Sequence, residues 1–118
     1  MQRLRLDNNV LGQLPELLGK LQSLEVLTFS NNCVERFPLG MKGLRSKLAI
    51  LHCSSNLIKE IPEEIACLSR LKSLLTENNR IAYLPNKMYL LSHIQEISLE
   101  WFIYVSPSFP LRLSHNHQ

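Results

Sequence analysis

The chain contains few of the features that mark secreted proteins. Only three of its 118 residues are cysteine, and no Asn-x-Ser/Thr sequence is present as an acceptor for N-glycosylation. An odd number of cysteines cannot form a fully paired disulfide framework. Both features favour a reducing, intracellular compartment, so the sequence predicts a cytoplasmic protein.

Long apolar runs and an excess of one charge are also missing. No apolar run approaches the roughly 20 residues that a membrane-spanning helix needs. The start, MQRLRLDNN, lacks the apolar core of a signal peptide. The net charge of +3 comes from 13 basic and 10 acidic residues, and both signs are interleaved along the chain. We therefore expect neither a membrane nor a nucleic acid as binding partner.

Catalytic and metal-binding patterns are scarce as well. The chain has only four glycines, which form no phosphate-binding loop, and it has no CxxC pair. His52 lies near Ser54 and Ser55, but the third member of a catalytic triad is missing. His115 and His117 are two isolated histidines near the end of the chain. The sequence thus predicts a protein that is not an enzyme and that holds neither a cofactor nor a metal.

What the chain does contain is a repeated unit. In residues 48–68, LAILHCSSNLIKEIPEEIACL, apolar residues first alternate and later recur three apart. Alternation is typical of a half-buried strand, and the later spacing suits a helical turn. Successive units are 23, 24, 23 and 23 residues apart, with the extra residue near Arg45 to Lys47. The units start at Met1, Leu24, Leu48, Leu71 and, incompletely, Ile94.

Stacked copies of this unit would share one core, with a parallel strand from each coil. One polar residue, Thr76, occupies a strand position that is predicted to point inward. An asparagine follows each full strand, where a buried amide can both donate and accept hydrogen bonds at a turn. A proline then precedes one or two turns of helix, of the α or the 3-10 kind. These residues are Asn9, Asn32, Asn56 and Asn79, and Pro15, Pro38, Pro62 and Pro85.

The pattern resembles the leucine-rich repeat, LxxLxLxxNxLxxLPxxLxxL, in the LPxxL variety common in intracellular scaffold proteins. The resemblance covers residues 1–99. It implies an α/β solenoid, a right-handed coil with a parallel sheet on its concave face and short helices or 3-10 turns on its convex face. It also implies a scaffold or adaptor whose partner is a small GTPase, a phosphatase or a cytoskeletal protein.

Residues 100–118 depart from the repeat, and we expect them to form an irregular tail. Trp101 to Val105 is aromatic and β-branched, and Pro107 and Pro110 follow it. The tail is either a cap over the end of the solenoid or the mark of an alternative terminus. The second interpretation is favoured, because a cap should present a polar outer face. It leaves an alternative hypothesis for function, in which the chain is a truncated fragment of a longer repeat protein with no independent role.

Candidate binding residues are the strand side chains that are predicted to point away from the core. They run from basic at the first coil, through an apolar middle, to acidic at the last coil, which suits a protein partner. Trp101 is included because tryptophan often anchors protein contacts. The candidates are Arg3, Arg5, Val26, Thr28, Ile50, His52, Leu75, Glu77, Ser98 and Trp101.

Overall fold

A computed structural model describes residues 2–100 and a short strand at residues 114–115. Each coil contributes one strand to a single sheet whose strand order follows the sequence. Neighbouring strands are parallel throughout. The strands are β1 (Gln2–Arg5), β2 (Leu24–Thr28), β3 (Ile50–His52), β4 (Ser73–Leu75), β5 (Glu96–Leu99) and β6 (Ser114–His115).

The strand register places equivalent residues of successive repeats side by side. Leu4 pairs with Leu27, Leu27 with Leu51, Leu51 with Leu74, and Leu74 with Ile97. The predicted parallel stacking is therefore confirmed. It also means that a residue's lateral neighbours are those one repeat before and one repeat after it.

The returning segments form 3-10 helices rather than α-helices. Pro15, Pro62 and Pro85 directly precede three of them. After Pro38 the helix begins three residues later, because Gly40 intervenes with a left-handed φ of 88°. The helices are Glu16–Lys20, Met41–Leu44, Glu63–Cys67 and Asn86–Leu90.

The core lies between the sheet and these helices. Leu27, Leu51 and Leu74 are all 0% exposed, whereas Leu4 is only partly buried because β1 lies at the edge of the sheet. Thr76 is also fully buried, and its hydroxyl donates to the backbone carbonyl of Ser98 at 3.1 Å. That hydrogen bond offsets the desolvation of a polar group at an otherwise apolar position.

A ladder of asparagine amides, buried at Asn32 and Asn56 and half-buried at Asn79, joins the coils. The Oδ1 of Asn56 accepts the Val34 N–H at 3.0 Å, and its Nδ2 donates to the Phe29 carbonyl of the preceding coil at 2.9 Å. Asn32 and Asn79 make equivalent bonds to their own preceding coils. The predicted asparagine turns are confirmed, and each amide links two coils as well as closing its own turn.

The turn after each of the first four strands contains one residue in the left-handed region. Its φ is 59° at Asn8, 58° at Asn31, 57° at Ser55 and 60° at Asn78. Asparagine tolerates this conformation better than other residues that have a Cβ. The Asn31 Nδ2 also donates to the Asn8 Oδ1 at 2.9 Å. Ser55 is thus the member of the set with the least suitable side chain.

We expect Ser55→Asn to stabilise the fold by about 0.5–1 kcal/mol, because it relieves backbone strain at a left-handed position. Urea unfolding followed by circular dichroism would measure the change in the free energy of unfolding. Ser69→Asn is the matched control, since Ser69 is an exposed turn residue without a positive φ. A stabilisation no larger than that of the control would contradict the explanation.

The tail contributes one strand that the sequence analysis did not predict. β6 lies beside β5, where Ser98 pairs with Ser114 and Leu99 with His115. Residues 101–113 and 116–118 lie outside the described part of the chain. For them, the expectation of an irregular tail stays a prediction.

Candidate functional site

The outward side chains of β1–β5 form two columns across the sheet, which we call the concave face. The strand register brings most of the predicted site residues together in these columns. The first column contains Arg3, Val26, Ile50, Ser73 and Glu96, and the second contains Arg5, Thr28, His52, Leu75 and Ser98.

Two of the predicted site residues are not accessible. Val26 and Thr28 are each only 2% exposed, so the expectation that these two side chains are accessible on the concave face is wrong. Both lie on β2, which has a strand on either side, and the Thr28 hydroxyl donates to the Asp7 carboxylate at 2.8 Å. Lateral neighbours and this hydrogen bond remove their surface from solvent.

The other predicted residues keep accessible surface where the structure describes them. Arg3 and Arg5 are exposed at one end of the concave face. Trp101 lies outside the described residues, so its role as an anchor stays a prediction. Half-buried side chains cover the rest of the face, namely Ile50, His52, Leu75, Glu77 and Ser98.

Asp7 ties the first coil to the second. One of its carboxylate oxygens accepts the Thr28 hydroxyl, and the other accepts the Ser30 N–H at 2.7 Å. The Ser54 hydroxyl similarly donates to Glu77 one repeat later. These bonds hold carboxylates in place on the concave face, which lowers the entropy cost of using them in recognition.

His52, Ser73 and Glu96 form a hydrogen-bonded row across three strands. The Ser73 hydroxyl donates to the Glu96 Oε1 at 2.7 Å, and its oxygen lies 2.9 Å from the His52 Nε2. Since the single hydroxyl proton goes to Glu96, the Nε2 of His52 must be the donor to Ser73. The histidine therefore carries its proton on Nε2 and presents its other nitrogen to the surroundings.

Burial lowers the pKa of His52 below its ordinary value of 6.5. The carboxylates of Glu96, Asp7 and Glu77 act in the opposite direction, and Arg5 reinforces the lowering. Desolvation is the largest of these effects and favours the neutral imidazole. At neutral pH the centre of the concave face thus presents an uncharged histidine.

This pKa shift predicts how stability depends on pH. Because the folded pKa lies below 6.5, the unfolded chain takes up the His52 proton first as the pH falls through 6.5. The contribution of the neutral His52 side chain to the free energy of unfolding is fully present above pH 6.5. It is lost as the pH falls toward the pKa of His52 in the folded chain. We expect His52→Gln to flatten this part of the profile in urea unfolding between pH 7 and pH 5. A profile as steep as that of the unsubstituted chain would contradict the assignment to His52.

Asp7, Ser73 and Glu96 are not among the candidate binding residues that the sequence indicated. The signal that would have found Ser73 and Glu96 is the repeat spacing. Ser73 and Glu96 are 23 residues apart, and so are Ser54 and Glu77. A donor and an acceptor one repeat apart on the same strand position are lateral neighbours, and therefore form cross-strand hydrogen bonds.

Cysteine chemistry does not contribute to the concave face. All three cysteines are free thiols, with Cys33 and Cys67 exposed and Cys53 buried. Burial raises the pKa of the Cys53 thiol, and the charge of Glu77 acts in the same direction. Cys53 thus remains a protonated core residue, which agrees with its inward strand position.

In residues 2–100 and 114–115, no group of three or more metal-ligating side chains is positioned to hold an ion. In the same residues, no helix is long and apolar enough to cross a membrane.

Comparison with known proteins places this geometry among leucine-rich repeats, although no family model matches the chain. It is 37% identical over 86 residues to plant intracellular Ras-group-related LRR protein 8 of rice, covering 71% of this chain and 23% of that protein. It is 31% identical over 99 residues to mouse leucine-rich repeat and calponin homology domain-containing protein 1, covering 82% of this chain and 13% of the mouse protein. It is also 33% identical over 104 residues to the probable serine/threonine-protein kinase pats1 of Dictyostelium discoideum. That match covers 84% of this chain and 3% of the kinase. The chain thus spans a small part of these relatives.

Solved structures give the same result. A leucine-rich-repeat protein of Leptospira interrogans superposes with a TM-score of 0.71 at 32% identity, covering 82% of this chain and 25% of that one. The plant peptide hormone receptor RGFR1 in complex with RGF2 superposes with a TM-score of 0.74 at 25% identity, covering 84% and 16%. Both contain a solenoid into which the present coils fit.

Proposed function

Since the chain belongs to the leucine-rich-repeat proteins, which generally mediate protein–protein interaction, we propose that it binds a protein partner along its concave face. The observation that carries the proposal is the ordered row of polar groups on this face. The hydrogen bonds of Asp7, Ser73 and Glu96 fix side chains from five coils, in one group of two and one group of three. A surface that is already ordered loses little conformational entropy when it binds.

The charges of the concave face are sorted by coil. Arg5 is exposed on β1, whereas Glu96 is exposed on β5 and Glu77 follows β4. Ile50 and Leu75 lie between these ends and are half-buried. A partner with an acidic group at one end, a basic group at the other and an apolar centre would match this order. Charges at the ends would fix the orientation of the partner, and the aliphatic centre would favour binding because its apolar surface becomes buried.

The partner class is proposed from resemblance. Small GTPases, phosphatases and cytoskeletal proteins suit a scaffold or adaptor of this repeat type, and the rice relative is named as Ras-group-related. The plant receptor bound to RGF2 supports binding of polypeptides by a solenoid of this kind. A cytoplasmic location is part of the same proposal, and the three free thiols suit a reducing compartment.

The test is a quantitative pull-down with the triple variant Arg5→Ala, His52→Ala, Leu75→Ala. We expect partners that bind the concave face to be lost by at least about tenfold, because central contacts at an interface often contribute 2 kcal/mol or more. Arg36→Ala, His93→Ala, Leu90→Ala is the matched control, since it removes the same residue types at exposed positions outside the concave face.

Both triple variants must first show a cooperative thermal transition close to that of the unsubstituted chain. Partners that survive the concave substitutions, or that are lost equally in the control, would overturn the assignment of the site. A chain that captures no partner under any condition would favour the alternative hypothesis of a fragment without an independent role.

A further inference from the structure

A second candidate site lies away from the two columns of the concave face, at the edge of the sheet where the strands begin. It is a shallow cleft of about 190 Å³. Ala49 is the smallest of the lining residues, so the cleft is open above the residue that directly precedes β3. The lining residues are Glu25, Lys47, Ala49, Arg70 and Lys72.

Backbone hydrogen bonds make this edge rigid. The Ala49 N–H donates to the Glu25 carbonyl at 2.9 Å, and the Lys72 N–H donates to the Ala49 carbonyl at 2.8 Å. The three residues occupy the same position in successive coils. Their side chains therefore emerge from a fixed backbone, and the spacing between their bases is set by the strand spacing.

The extra residue of the second repeat falls beside the cleft. At the other coils a hydrogen bond between residues three apart closes the turn before the strand. An example is the bond from the Leu71 N–H to the Leu68 carbonyl at 2.9 Å. In the longer repeat the Leu48 N–H instead reaches the Leu44 carbonyl, a four-residue step, at 3.1 Å. Lys47 lies in this wider turn, so the insertion helps to place a cation at the rim of the cleft.

The lining of the cleft carries a net positive charge. Lys47, Arg70 and Lys72 are all exposed, and Glu25 is the one acidic lining residue. Within the described part of the chain, the side chains of the three cations form no hydrogen bond or ion pair. Three cations that line one hollow are a suitable site for carboxylates, and Arg70 can bind one of them through two parallel hydrogen bonds.

We infer that this cleft binds an acidic segment of a protein partner, a stretch with two or more carboxylates spaced to reach Lys47, Arg70 and Lys72. A peptide suits the site better than a nucleic acid, because the positive surface is a local hollow rather than a stripe that follows a phosphate backbone. The inference goes beyond binding at the concave face, because it requires none of the residues proposed there.

The experiment uses the full chain and a fluorescein-labelled ten-residue peptide of alternating glutamate and glycine. Binding is measured by fluorescence anisotropy at low and at physiological salt. The triple variant Lys47→Gln, Arg70→Gln, Lys72→Gln is expected to weaken binding by at least about fivefold, since each exposed ion pair contributes modestly. The control, Lys20→Gln, Lys42→Gln, Lys87→Gln, changes the net charge equally at exposed positions on the convex helices and is expected to alter binding by less than twofold.

Three outcomes would overturn the inference. The first is an equal loss of binding in both triple variants, which would mean attraction to net charge alone. The second is no measurable binding of the peptide at low salt. The third is that a single-stranded RNA of equal charge binds more tightly than the peptide, and that the Lys47→Gln, Arg70→Gln, Lys72→Gln variant loses this RNA binding while the control keeps it. The concave variant Arg5→Ala, His52→Ala, Leu75→Ala serves as a separate arm, and retained peptide binding there would support two independent sites.

Discussion

Asn56→Ala is expected to lower the free energy of unfolding by about 1–3 kcal/mol, the first of two large effects that the fold predicts. The substitution removes both ends of one rung of the asparagine ladder. The Val34 N–H loses its acceptor, whereas the Phe29 carbonyl loses one of two donors and keeps the Asn32 amide. Asn56 is 5% exposed, so water cannot easily replace either partner. Each unsatisfied buried group costs about 1–3 kcal/mol.

The matched control for this prediction is Asn9→Ala, which removes the same side chain from the same position of the first repeat. Asn9 is exposed, and its amide donates to the carbonyls of Leu6 and Asp7 within its own turn. We expect a loss of about 1 kcal/mol or less, because water can replace these bonds. Thermal and urea unfolding would measure both variants. Equal losses at the two positions would show that the ladder between coils does not contribute to stability.

Gly43→Ala is expected to destabilise the fold by about 2 kcal/mol or more, because it forces an atom into an occupied position. A Cβ built on Gly43 would lie 2.0 Å from the Gly19 carbonyl oxygen, and one on Gly19 would lie 2.3 Å from the Gly40 oxygen. All three neighbours at this contact are backbone atoms, which cannot move aside as a flexible side chain could. The convex segments of the first two coils would have to separate.

Gly12→Ala is the control for the glycine contact. Nothing lies within 4 Å of a Cβ built there, and Gly12 has no positive φ. The substitution should change the free energy of unfolding by no more than about 1 kcal/mol, and restricting the unfolded chain could even stabilise the fold. Urea unfolding of both variants would test the contrast. A loss at Gly43 no greater than that at Gly12 would mean that the two convex segments can separate at little cost.

The sequence predicted most of the fold because a repeat carries its own evidence. The alternation at Leu51 and Cys53 identified a strand, and the same pattern one repeat away showed what that strand would pair with. The asparagines were predicted correctly for a similar reason, since an amide at a turn has few roles other than hydrogen bonding. The kind of helix stayed open, as segments of four or five residues suit either α or 3-10 geometry.

The candidate site was predicted less well, because exposure depends on neighbours from other repeats. Val26 and Ile50 occupy the same strand position, yet Val26 is buried and Ile50 keeps accessible surface. Nothing in either residue separates them. The difference arises from what lies one coil away on each side, and hydrophobic periodicity within a single strand does not report it.

The sequence by itself determined the length of the coil, the inward strand positions, the turn asparagines and the order of charge from the first coil to the last. These follow from local chemistry repeated at a fixed interval. Only the tertiary structure decided that Thr28 and Ser73 give their hydroxyls to carboxylates one coil away, that glycine is required where the first two convex segments touch, and that three cations converge at the wider turn. Each of these depends on distances between coils, which are set when the coils stack and share one core.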